Sequence, residues 1–204
     1  MDRALVLHAR VGPESDERLG RLLGTLPYGR RALYERRSGT GRRSGLAGVA
    51  LALEGLGRLV GRPVLAAEIE FPQDGKPRLS GGPSFSVSHS GDVVAVALVT
   101  TGEVGLDVEV EARGRSRARL ERWTAVEAVL KAAGLGLSAS PDVVVSEDLG
   151  SGAVAGMTCR IVPVDLGPGV VACIAGERGF SRVEVEPVDL SVTASLERLA
   201  RPGP

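Results

Sequence analysis

The 204-residue chain contains few aromatic residues and carries no net charge. Aromatic side chains make up only 3% of the sequence, so the core has to be built from valine, leucine and alanine. Because Lys+Arg and Asp+Glu both number 25, the global charge gives no indication of a nucleic-acid partner or a membrane surface. We therefore expect any charge-driven partner to be bound by a local patch.

Metal-binding cysteines, a secretion signal and long apolar runs are also missing. Cys159 and Cys173 have no neighbouring histidine and form no zinc motif; a disulfide is one alternative, and we favour buried thiols in a reducing cytosol. Residues 1–11 resemble a strand rather than a signal peptide, and no run of about 18 apolar residues is present. These features predict a cytoplasmic protein without a membrane span, and we expect a monomer.

The order of the predicted elements indicates an α+β fold with mostly antiparallel sheets, because helices and strands do not alternate strictly. The helices are predicted at 15–24, 44–60 and 119–133, with a last helical piece past Leu190. The strands are predicted at 4–8, 68–71, 85–88, 93–99, 104–110, 157–164, 170–175 and 182–188. Weak similarity between the halves predicts two pseudo-twofold-related half-domains, 1–102 and 103–204, each a mostly antiparallel sheet packed with a long helix, with a cleft between them.

The most informative segment is the predicted strand 104–110, in which apolar and acidic residues alternate. A strand places Leu106 and Val108 on one face and Asp107 and Glu109 on the other. Carboxylates two residues apart, about 7 Å between Cα atoms, can converge on one Mg²⁺ ion. The alternative for this strand by itself is an exposed acidic face beside the core.

Two other segments carry chemically useful side chains. Glu127 and Lys131 lie four residues apart on a predicted helix, where they form either part of a site or a simple salt bridge. Lys76 lies in a Gly-Lys-Pro turn, and Ser88 and His89 lie in and after an alternating strand, with residues 89–92 predicted as a turn. The stretch 30–43 holds six arginines and one glutamate, which suits a phosphate or a mobile basic loop.

In this order, the motifs resemble those of the 4′-phosphopantetheinyl transferases, specifically the larger pseudodimeric class that activates peptide and polyketide synthetases. The resemblance covers about residues 30–137 and implies Mg²⁺-dependent transfer of phosphopantetheine from coenzyme A to a carrier-protein serine, with release of adenosine 3′,5′-bisphosphate. It implies Asp107, Glu109 and Glu127 as metal ligands, and Glu127 and Lys131 as catalytic residues. It implies coenzyme A contacts from Arg31, Arg43, Lys76, Ser88, His89 and Lys131.

Two features depart from the family pattern. Val126 stands where the family usually has lysine, and only thirteen residues separate Glu109 from Trp123, where relatives usually have a longer segment. The short segment is arginine-rich, which would suit either an acidic carrier protein or a disordered loop: Arg113, Arg115, Arg117, Arg119 and Arg122. The departures favour an alternative, a non-catalytic module that binds coenzyme A or a carrier protein. A carboxylate-metal phosphohydrolase is a more remote alternative.

Overall fold

The computed structural model describes residues 2–72, 75–112, 114, 116–136 and 142–190. The four α-helices are α1 (Asp16–Thr25), α2 (Tyr28–Glu35), α3 (Gly39–Val60) and α4 (Arg117–Ala133). The strands are β1 (Asp2–Arg10), β2 (Ile69–Glu70), β3 (Arg78–Leu79), β4 (Ser84–Ser90), β5 (Val93–Val99), β6 (Val104–Val110), β7 (Val144–Val145), β8 (Ser151–Val154), β9 (Met157–Pro163), β10 (Val170–Gly176) and β11 (Phe180–Pro187). Asp74, Arg113, Arg115, Leu137 and the predicted helix past Leu190 lie outside the described residues.

Strand pairing confirms the predicted α+β class with mostly antiparallel sheets. One sheet has the order β11-β1-β5-β4, the other has the order β6-β10-β9-β8-β7, and β2 and β3 form a separate pair. Within the described residues, β1 and β11 are the one parallel pair. The proposed boundary between residues 102 and 103 separates β5 from β6, which lie in different sheets. However, β11 follows that boundary and joins the first sheet beside β1.

Three apolar clusters place the sheets and helices in layers. The first cluster packs α1 and α3 on one face of the first sheet, and the second fills the space between the two sheets. The third packs α4 on the outer face of the second sheet. Val, Leu and Ala dominate all three clusters, as the low aromatic content predicts. Each sheet therefore carries a long helix on its outer face.

Several element boundaries differ from the prediction. The helix expected from residue 44 begins at Gly39, because glycines with low helix propensity obscured its first turn. His89 and Ser90 belong to β4, and the turn is confined to Gly91 and Asp92, since glycine accepts the positive φ of 58° at position 91. Four short elements, α2, β3, β7 and β8, were not predicted. The helix α4 ends at Ala133, as predicted, and is followed by Gly134 with φ 69°.

The cysteines are both buried and free, which confirms the thiol form. Burial raises the pKa of Cys159 to about 11 and that of Cys173 to about 12, so both thiols stay protonated at neutral pH. Among the described helices, none combines the length and apolar character needed to cross a bilayer. The cytoplasmic location and the monomeric state stay predictions.

Gly105 allows α4 to approach β6 unusually closely. A Cβ atom at position 105 would overlap the carbonyl oxygen of Ala128 and the amide nitrogen of Ala132 in α4. These are backbone atoms, which cannot move aside as a flexible side chain could. The absence of a side chain on Gly105 therefore sets the distance between the helix and the acidic strand.

We expect Gly105→Ala to lower the free energy of unfolding by about 3 kcal/mol, the upper end of the usual cost of overpacking. Gly20→Ala is the matched control, because Gly20 lies in α1 and a Cβ atom added there would have no neighbour within 4 Å. The control should raise the free energy of unfolding by about 0.5–1 kcal/mol through helix propensity. Urea denaturation measures both changes, and equal stability of the two variants would contradict the close-packing interpretation.

Candidate active site

A ladder of serine side chains joins the two sheets. The four serines of β4 occupy every second position of the strand. Each accepts a hydrogen bond from a backbone N–H group of β6, at nitrogen-to-oxygen distances of 3.4, 3.0, 3.3 and 3.1 Å. The pairs are Ser84 with Val104, Ser86 with Leu106, Ser88 with Val108 and Ser90 with Val110. Serine hydroxyls thus satisfy N–H groups at an edge of the second sheet that would otherwise lack partners.

The ladder holds the acidic residues of β6 in register. Ser88 donates to Asp107 at 2.9 Å, and Ser90 donates to Glu109 at 3.1 Å. Asp107 is only 3% exposed and points away from the core between the sheets, as the alternation predicted. Glu109 lies further along the same face and is partly exposed.

Lys131 of α4 connects the strand to the helix. Its ammonium donates to Asp107 Oδ1 at 2.5 Å and to Ser88 Oγ at 3.0 Å, and it lies 3.5 Å from Glu127 Oε2. Thus four residues predicted from three separate motifs meet at one point. The i,i+4 salt bridge between Glu127 and Lys131, the simpler interpretation of their spacing, is one part of this larger cluster.

Glu127 lies in an environment that disfavours its charge. Burial of the carboxylate, and next the charge of Asp107, raise the pKa of Glu127 above the usual glutamate value, although Lys131 opposes the shift. A carboxylate with a raised pKa is a better proton acceptor than an exposed one. The same repulsion between carboxylates would be relieved by a cation.

The carboxylate of Asp107 has one oxygen that is free to bind a metal ion. This oxygen, Oδ2, is buried and has no hydrogen-bond partner, which is costly for a carboxylate. Among the residues that the structure describes, no three acidic, histidine or cysteine side chains are gathered into a complete metal site. Mg²⁺ commonly uses one or two carboxylates together with water and substrate phosphate oxygens. Asp107 and Glu109 fit that partial role.

His89 has cationic neighbours. Its pKa is lowered by desolvation and then by the charges of Arg37 and Lys131. The imidazole is therefore neutral at pH 7 in the absence of a ligand, whereas phosphate binding would favour the protonated form. An anion placed among these three groups would reduce their mutual repulsion.

Three predicted coenzyme A contacts are engaged elsewhere in the protein. Lys76 donates to Ser84, Glu103 and the carbonyl of Val104, at 2.8, 2.7 and 2.6 Å, so all three of its N–H donors are used at the far end of the ladder. Its role at the nucleotide stays a prediction.

The two selected arginines also have acidic partners. Arg31 pairs with Glu35 on α2, and Arg43 makes a bidentate pair with Asp16. Arg43 and Arg37 nevertheless line the same pocket, of about 480 Å³, at the start of α3. Sequence reasoning did not select Arg37, whose charge, like that of Lys131, acts on His89, because no periodicity distinguishes it from the other arginines of residues 30–43.

A cleft of about 1010 Å³ lies beside Glu109 and Glu127. Its other lining residues include Leu120, Trp123 and Val126, with Arg119 and Arg122. Trp123 is 40% exposed, which is unusual for so large an apolar side chain. A separate cavity of about 640 Å³ borders the opposite side of α4 and contains none of the predicted site residues.

Comparisons with known proteins agree with the resemblance over part of the chain. No family model matches. The 4′-phosphopantetheinyl transferase AcpT of Salmonella typhi is 40% identical over 73 residues, which cover 30% of this chain and 38% of that protein. The uncharacterized protein YieE of Escherichia coli K12 is 43% identical over 68 residues, which cover 32% of this chain and 24% of that protein. The chain therefore spans well under half the length of these relatives. The local similarity supports the 4′-phosphopantetheinyl transferase superfamily.

We expect Arg37→Gln to raise the pKa of His89 toward its ordinary value, because a repelling charge is removed. Proton NMR titration of the imidazole measures the change, in a His8→Gln background that leaves one histidine signal. Arg31→Gln is the control and should leave the titration unchanged, since Arg31 is paired with Glu35. A larger shift in the control than in Arg37→Gln would contradict the assigned neighbourhood.

Proposed function

We propose that this protein transfers 4′-phosphopantetheine from coenzyme A to a serine of an apo carrier protein, with Mg²⁺, and releases adenosine 3′,5′-bisphosphate. The observation that carries this proposal is the convergence of Asp107, Glu127 and Lys131, with a buried carboxylate oxygen that lacks a partner. The partial similarity to AcpT supports the same reaction class. Membership in the larger pseudodimeric class is part of the proposal.

On the donor side, the residues would bind the pyrophosphate of coenzyme A. Asp107 and Glu109 would hold Mg²⁺, which when bound supplies positive charge that offsets the negative charge of the pyrophosphate. Lys131 already contacts Asp107 and would stabilise the leaving phosphate as a fixed positive charge. His89 and Arg37 would interact with another phosphate of the same ligand, for which we propose the 3′-phosphate.

On the acceptor side, the carrier-protein serine would approach through the cleft beside Glu127. Glu127 would accept the proton of the serine hydroxyl, and its raised pKa suits that role. Trp123 offers an apolar contact, while Arg119 and Arg122 suit an acidic helix on the carrier protein. We propose a carrier of peptide or polyketide biosynthesis as the acceptor.

A non-catalytic binding module is the second candidate, and Val126 is the observation that favours it. Val126 lines the cleft where the family usually has lysine. However, it packs partly against the core of the second half, whereas Glu127, the next residue, faces Asp107 and Lys131. The absent lysine thus leaves the contacts among the acidic residues and Lys131 unchanged, which supports a slowed catalyst over an inactive one.

We expect the protein to add one phosphopantetheine group to at least one member of a panel of apo carrier proteins, with coenzyme A and Mg²⁺. Glu109→Gln should remove most of this activity, because it deletes a charged ligand of the metal. Mass spectrometry of the carrier protein measures the transfer.

Glu111→Gln is the matched control, since Glu111 follows on the same face but pairs with Arg117. It should keep most of the activity. If the parent binds coenzyme A tightly but modifies no carrier protein, and Val126→Lys does not either, the binding module becomes the better interpretation.

We expect dephospho-coenzyme A to bind about ten- to a hundredfold more weakly than coenzyme A, because a charge-assisted hydrogen bond contributes roughly 1.5–3 kcal/mol. Arg37→Gln should remove most of that difference, and Arg31→Gln should preserve it. Isothermal titration calorimetry with both ligands measures the affinities. Loss of the difference in Arg31→Gln alone would instead support the arginine chosen from the family resemblance.

A further inference from the structure

We propose that Ser88 and Ser90 are positioning residues that orient the Asp107 and Glu109 carboxylates toward the metal. This inference rests on the proposed function and assigns to Ser88 a different role from the one that the family resemblance implies. It follows from the number of hydrogen bonds that each hydroxyl makes.

All the hydrogen bonds that the Ser88 hydroxyl can make are made with protein groups in this structure. The O–H group donates to Asp107 Oδ1 at 2.9 Å, and the oxygen accepts from the Val108 N–H at 3.3 Å and from Lys131 at 3.0 Å. A hydroxyl has one donor and two acceptor lone pairs, so these three bonds saturate it. Ser88 is also only 6% exposed. It therefore acts on the protein groups around it.

The backbone contact fixes the direction in which each hydroxyl donates. Ser90 accepts from the Val110 N–H and donates to Glu109 Oε2, both at 3.1 Å. Because one lone pair of the oxygen accepts from the N–H group, the O–H bond points in another direction, toward the carboxylate. In Asp107 the oxygen bound to Ser88 is Oδ1, which leaves the buried Oδ2 as the atom without a partner. Fixed partners of this kind keep metal ligands in one orientation.

Ser86 provides an internal control in the same ladder. It is 3% exposed and accepts from the Leu106 N–H at 3.0 Å, as its neighbours do with β6. The residue at the carboxylate position opposite Ser86 is Gly105, which has no side chain. Removal of the Ser86 hydroxyl thus removes the hydrogen bond to the Leu106 N–H. It leaves the hydrogen bonds from Ser88 to Asp107 and from Ser90 to Glu109 in place.

The test compares Ser86→Ala, Ser88→Ala and Ser90→Ala by three measurements. Mn²⁺ binding is followed by electron paramagnetic resonance with saturating coenzyme A, coenzyme A binding is measured by calorimetry in metal-free buffer, and stability is measured by urea denaturation. We expect Ser88→Ala and Ser90→Ala to weaken Mn²⁺ binding about 10- to 100-fold, the usual effect of losing a partner of a metal ligand. Ser86→Ala should lose stability with unchanged Mn²⁺ affinity, and Ser90→Thr, which keeps a hydroxyl, should restore binding.

Three results would overturn the positioning role, and a fourth would reject the function on which it rests. Weaker coenzyme A binding in Ser88→Ala, with unchanged Mn²⁺ affinity, would make Ser88 a phosphate contact. An equal loss of Mn²⁺ affinity in Ser86→Ala would assign the effect to the ladder as a whole. A parent protein that neither binds Mn²⁺ nor modifies a carrier protein would reject the proposed function, whereas an active parent with unaffected serine variants would reject the positioning role alone.

Discussion

The arrangement of this protein depends on the hydrogen bonds between the serines of β4 and the backbone of β6. An edge strand with unpaired N–H groups is exposed to water or to another strand. Here serine hydroxyls take the place of a neighbouring strand, at 3.0 to 3.4 Å from the backbone nitrogens. Because a hydroxyl also donates, the same contacts that join the sheets hold the carboxylates of Glu103, Asp107 and Glu109. The same serine hydroxyls therefore join the two sheets and orient the carboxylates of the site.

The second constraint is the close approach of α4 to β6 at Gly105. A helix normally packs on a sheet through side chains, which hold the two backbones apart. The missing side chain at Gly105 lets the helix backbone at Ala128 lie directly on the strand. Glu127 and Lys131, one residue before and three after Ala128, are thereby carried to Asp107. Lys131 reaches that carboxylate and is still 30% exposed, so it can serve both the protein and a ligand.

The charges around the site are separated although the chain as a whole is neutral. The carboxylates lie on β6 and α4, whereas His89 and Arg37 provide a basic side at the end of β4 and the start of α3. Lys131 lies between the two groups, and its charge influences both Glu127 and His89. The proposed ligand, coenzyme A, would contact the basic side with its 3′-phosphate and the proposed metal site with its pyrophosphate. The net charge of zero is therefore compatible with separate acidic and basic regions at the site.

The sequence by itself determined the class of fold, the acidic face of β6 and the spacing of Glu127 and Lys131, because strand and helix periods act over a few residues. It also contained the alternating serines of β4 and the glycine in the acidic strand, whose structural roles were not predicted. Only the tertiary structure decided that Lys76, Arg31 and Arg43 have acidic partners. It also decided that Arg37 acts on His89 and that Ser88 is saturated with protein contacts. The Arg31–Glu35 pair is an i,i+4 contact on α2, a helix that was not predicted. The other properties depend on distances between segments far apart in the chain, which local periodicity does not specify.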